Sequence, residues 1–95
     1  MERLNPDNEI RRGQEAANIL NSEVYQEAYS EIERRLVDQL AVVEIDKERA
    51  EYLRQLLVGL RKVRKYIEQV MVTGKMATEQ QSLLQRAKAA AKAIF

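Results

Sequence analysis

The chain contains no cysteine, no histidine and no tryptophan, and each absence closes off some chemistry. Without cysteine there is no disulfide, no thiolate nucleophile and no zinc–thiolate site. Without histidine the usual general base near neutral pH is missing, together with the commonest transition-metal ligand. Only 1 proline and 3 glycines occur in 95 residues, so few positions force a helix to stop. The aromatics are 4 Tyr and 1 Phe, which leaves the core to Leu, Ile, Val and Ala. Such a core is thin at this length, and chains of this size often gain stability by oligomerising. No run approaches the roughly 20 apolar residues of a membrane span. The opening MERLNPDNEIRR lacks the apolar stretch of a signal peptide. The expectation is a soluble protein of cytoplasmic type.

What is present describes a foldable chain: 45% hydrophobic residues and 33% charged. The net charge of +1 conceals an asymmetry. Residues 1–48 carry six bases against twelve acids, a net of −6, and residues 49–95 carry ten bases against three acids, a net of +7. That division marks either a basic half that binds a partner or two halves that face each other. Matching apolar stripes in both halves favour the second.

Four helices are expected. In NPDNEI, Asn5 can cap, Pro6 suits the first helical position, and Asp7 and Glu9 oppose the positive end of the helix dipole, opening a helix over about 6–20. Asn21 or Ser22 caps a second helix over about 23–43, with Tyr25, Tyr29, Ile32, Leu36, Leu40 and Val43 at steps of three and four. A third runs over about 47–73 from an Asp46 cap. It carries two adjacent seams, one through Ala50, Leu53, Leu57, Leu60, Ile67 and Met71, interrupted by Arg64, and one through Leu56, Leu60, Val63, Ile67 and Val70. Two seams make an apolar face wide enough for two neighbours. Gly74 in TGK reads as a left-handed cap, and Thr78 with Gln81 reads as a capping box opening a fourth helix over about 79–94. That helix is Ala-rich, with Leu83, Ala87, Ala90 and Ile94 on one face and Leu84, Ala91 and Phe95 beside it. The expected fold is all-α and bundle-like, a single domain in which an antiparallel hairpin of helices 2 and 3 forms the core and short helices flank it.

The densest feature is GLRKVRKYIEQVMVTGK, residues 59–75, where Arg61, Lys62, Arg64 and Lys65 fall within five positions. At about 100° per residue these bases occupy one arc of about 160°, opposite the leucine and valine seam. The arc lacks base-reading polar residues and an aromatic stacking platform, so a solvated face or one paired with acidic helix 2 is favoured over a nucleic-acid site. No phosphate-binding Gly loop occurs, and the paired carboxylates Glu27 and Glu31 lack the histidines of a di-metal bundle. Neither an enzyme nor a cofactor or metal site is expected. The expected protein interface is Leu53, Leu56, Leu60, Val63, Ile67 and Val70, with Arg64 intruding as a register-setting residue bound to an acid on helix 2 or another subunit. The Ala-rich face of helix 4 is a second expected contact. Arg61, Lys62 and Lys65 are the candidate contacts to nucleic acid or an acidic partner.

The segments RRGQEAANILNSEVYQEAYSEIE, DKERAEYLRQLL and LRKVRKYIEQVMVTGKMA, within about residues 10–77, resemble a family of small helical proteins encoded among the structural genes of tailed bacteriophages and prophages. The likeness rests on the Arg-Gly-x-Glu-Ala opening, the acidic-aromatic second helix and the Val-Arg-x-Tyr-Ile-Glu…Thr-Gly-Lys ending, and these motifs carry no catalytic role. The resemblance implies a non-enzymatic virion or assembly protein, in the virion or the host cytoplasm, whose partners are copies of itself or other phage structural proteins. Its alternative is an accessory protein binding a host protein or nucleic acid through the basic arc.

Overall fold

The computed structural model describes residues 5–94. Phe95, expected beside Leu84 and Ala91, lies outside them, as does the side chain of Ile94. The described residues are all-α with three helices: α1 over Pro6–Asn21, α2 over Glu23–Leu40 and α3 over Lys47–Ile94. Four helices were expected. The third and fourth are instead one helix of 48 residues, about 72 Å long at 1.5 Å per residue, which accounts for the longest dimension of 75 Å. The radius of gyration is 20.6 Å, well above the roughly 13 Å of a compact domain of similar length.

Local chemistry sets the first two helices. The Asn5 side chain accepts a hydrogen bond from the Asn8 amide at 2.9 Å, and Pro6 occupies the first turn. Ser22 alone separates α1 from α2 and serves both. Its amide donates to the Ile19 carbonyl at the end of α1, while its hydroxyl accepts from the Tyr25 amide at 3.3 Å. The Gln26 side chain also donates to the Leu20 carbonyl at 2.9 Å, across the junction. Helix α2 ends at Leu40, short of the expected Val43. Val42 and Val43 are exposed, Val43 almost completely, so continuing the helix would bury nothing. The chain turns there, and Ile45 folds back onto the core.

Helix α3 does not break at Gly74, because Gly74 is a contact rather than a cap. None of the described glycines has a positive φ. A Cβ added to Gly74 would lie 2.7 Å from the Gly13 Cα and 2.9 Å from the Glu9 carbonyl oxygen, and one added to Gly13 would lie 2.8 Å from the Gly74 Cα. The two backbones therefore touch, and a side chain at either position would force the helices apart. Thr78 and Gln81 form no capping box either. The Thr78 hydroxyl donates to the Gly74 carbonyl one turn back at 3.0 Å, and the Gln81 amide donates to Asp7 of α1 at 3.0 Å.

α1 and α2 lie in succession along α3, both running counter to it. The pairs Asp7–Gln81 and Gly13–Gly74 fix α1, and Glu33–Arg61 with Leu36 against Leu53 and Leu57 fix α2. The expected hairpin core of helices 2 and 3 gives way to this arrangement, in which the contact of α1 with α3 is the more extensive. Its small residues let the helices approach closely: Gly13, Ala16, Gly74 and Ala77 are all buried. The second apolar centre is Leu36, Leu53 and Leu57, with Leu40, Ile45 and Leu60 packed on it.

Candidate interaction surface

The seven residues expected to form an interface fall into three groups. Leu53 is core, only 3% exposed against α2. Leu60, Arg64, Ile67 and Val70 are half-buried beneath α1 and α2. Leu56 and Val63 remain exposed, at 43% and 59%. The wide apolar face does serve two neighbours, but both belong to the same chain. α2 takes the seam through Leu53 and Leu57, and α1 takes the neighbouring strip through Ile67, Val70, Gly74 and Ala77.

Arg64 lies 4.7 Å over the Tyr29 ring and pairs with Glu68 of its own helix at 3.1 Å. The expected acid on α2 is replaced by an aromatic face, which attracts a guanidinium through its quadrupole. Tyr29 is 8% exposed. Burial of its ring, and then the neighbouring Glu33 carboxylate, hold its phenol above the usual tyrosine range, with Arg64 and Arg61 pulling the other way.

The basic arc is divided. Arg61 pairs with Glu33 of α2 at 3.2 Å. Lys62 and Lys65 are exposed and enter no ion pair among the described residues. Among the described residues, the opposing charges of the two halves meet only here as an ion pair between helices. The other pairs are local: Glu31 holds Arg34 and Arg35, each at 2.9 Å, and Arg34 also reaches Asp38 at 3.1 Å. Hydrogen bonds from Arg34 and Arg35 keep the Glu31 carboxyl below the usual glutamate range. Short i, i+3 and i, i+4 spacings satisfy these charges before tertiary structure can use them.

Exposed apolar side chains recur along α3: Tyr52, Val63, Tyr66, Met76, Leu83 and Leu84 are all more than half exposed. Val63 and the face holding Leu83 are expected contacts, whereas Met76 belongs to none. Every described residue from Leu83 to Lys92 is exposed, because α1 begins opposite Gln81 and no described residue of α1 or α2 lies beyond it. The Ala-rich segment therefore packs on none of the described residues of α1 or α2. A continuous wheel through residue 74 puts Met76 in line with Leu83, Ala87 and Ala90. Placing a helix end at Gly74 cut that stripe in two.

Beside the Gly13–Gly74 contact runs an open groove lined by Ile10, Gln14, Ala17 and Met71. Another, beneath Ile19, is lined by Arg12, Ala16, Tyr66, Ile67 and Val70, and Arg12 donates to the Tyr66 hydroxyl at its rim at 3.3 Å. Among the described residues no three carboxylates converge to hold a metal ion, and no helix is long and apolar enough to cross a membrane. No protein-family model, curated protein or solved structure matches the chain.

Proposed function

We infer that this chain is a non-enzymatic assembly protein, acting through helix–helix packing in an oligomer or a larger complex. One observation carries the reading. A single 48-residue helix presents bulky apolar side chains to solvent along most of its length, while the chain's own core is small. Exposed bulky apolar side chains recurring along one helix support a role in protein contact. The absence of cysteine and histidine argues in the same direction, since the commonest catalytic groups are missing. The resemblance of residues 10–77 to small helical proteins of tailed phages supports a place in a virion or in its assembly.

Sedimentation velocity over a wide concentration range tests the reading. Self-association or stable capture by another structural component is the expected result, and a monomer at high concentration refutes the self-assembling form. Nucleic-acid binding through Lys62 and Lys65 is the competing outcome. Titration with duplex DNA at two salt concentrations detects it, because such binding weakens steeply as salt rises. Pairing of Arg61 with Glu33 leaves this arc with fewer free charges than the sequence suggests.

A further inference from the structure

The outward face of α3 has a regular pattern. From Gln69, steps of four and three residues lead through Thr73, Met76, Gln80 and Leu83 to Ala87 and Ala90. Every one of these residues is exposed and none is charged. This is a heptad seam about 33 Å long, on the side of α3 opposite the seam that α2 occupies. Its bulky members, Met76 and Leu83, are 56% and 62% exposed. Along one edge run the charges Glu79 and Arg86, seven residues apart, and among the described residues neither enters an ion pair.

Resting on the assembly reading above, we propose that this seam binds the same seam of a second copy of the chain, antiparallel, about a two-fold axis near residues 81–82. The charges select that arrangement. In an antiparallel pair of helices the same edge positions face one another across the seam, so Glu79 of each copy meets Arg86 of the other, twice by symmetry. That register sets Leu83 against Gln80, Met76 against Ala87 and Thr73 against Ala90, so no charge enters the seam. A parallel pair would face Glu79 with Leu84 and Arg86 with Ala91, leaving both charges unmatched. The other antiparallel register, pairing Glu79 with Lys65, would force Lys62 into the seam opposite Gln80. The two-fold contact is self-complementary and closes on itself as a dimer, and it covers part of α3 that no other helix among the described residues covers.

The test uses the full-length chain and needs no removal of native cysteines, since there are none. Sedimentation equilibrium should show a dimer for the wild type. Glu79→Arg and Arg86→Glu should each raise the dissociation constant by at least about tenfold, by setting like charges opposite at two places. The double variant, with both charges exchanged, should return it to near the wild-type value. In a second measurement, Met76→Cys chains mixed with Ala87→Cys chains should form a disulfide with each other and not with themselves. Like residues in this dimer sit about 16 Å apart along the axis, beyond disulfide reach. Circular dichroism checks that each variant keeps its helix content. Failure of the double variant to recover, or self-linked disulfides, overturns the antiparallel register. An oligomer indifferent to all these changes overturns the seam while leaving the assembly reading intact, whereas a wild-type monomer overturns the seam together with the self-assembling form of that reading.

Discussion

Gly74→Ala tests the central geometric claim about the fold, and Gly59→Ala provides its control. Both glycines lie inside α3, so alanine gains the same intrinsic helix propensity at each, about 1 kcal/mol. Their surroundings differ. A Cβ on Gly59 meets nothing within 4 Å, whereas one on Gly74 lies 2.7 Å from the Gly13 Cα and 2.9 Å from the Glu9 carbonyl oxygen. Both neighbours are backbone atoms, so no rotamer change relieves the clash, and α1 must move away as a unit. Overpacking of this kind costs about 1–3 kcal/mol. Subtracting one variant from the other cancels propensity, so Gly74→Ala should be about 1–3 kcal/mol less stable than Gly59→Ala. Urea denaturation followed by circular dichroism, at one protein concentration, measures the difference. The thermal midpoints should differ by roughly 4–8 °C for each kcal/mol at this chain length. If the two variants are equally stabilised, Gly74 does not touch α1 and the continuous helix is wrongly placed against it. Combining Gly13→Ala with Gly74→Ala should cost less than the sum of the two, because both disrupt one contact.

Three further outcomes follow from individual side chains. Leu53→Ala should cost about 2–5 kcal/mol, whereas Leu56→Ala, at a position 43% exposed, should cost under about 1 kcal/mol; equal losses in urea titration would refute the division of α3 into covered and open seams. Tyr25 has a buried hydroxyl that no group among the described residues reaches, so Tyr25→Phe should leave stability unchanged or raise it by up to about 1 kcal/mol; a clear loss would reveal an unrecognised hydrogen bond. Tyr29 is held above its ordinary value of 10.0, mainly by burial. Above that pH the unfolded chain releases this proton while the folded chain keeps it, so stability falls as pH rises. Tyr29→Phe should flatten the alkaline limb of the pH–stability curve, and an unchanged limb would assign the loss to other groups.

How much of this was legible depends on the range over which each signal acts. Asn5 and Pro6 open α1, and Ser22 both ends it and starts α2, because a cap needs only the backbone amides two or three residues away. Steps of three and four residues marked the apolar seams of α2 and α3 for the same reason. The fold class was therefore readable, while the number of helices was not. Gly74, Thr78 and Gln81 have the residue types of a helix stop and a helix start, yet here they admit and bind α1. The summed charge of the two halves misled in a related way. Glu31, Arg34, Arg35 and Asp38 satisfy one another within α2, leaving Glu33 and Arg61 as the ion pair that joins α2 to α3.

Sequence alone determined helical periodicity, the caps of α1 and α2, and the pairing of neighbouring charges, all of which act within one or two turns of backbone. Tertiary structure decided that α3 runs unbroken, which seam each short helix covers, and which face is left open from Gln69 to Ala90. A glycine can end a helix or let another helix touch it, and its neighbours in sequence allow both. The choice falls to Gly13, 61 positions away, whose backbone occupies the space a side chain at Gly74 would need.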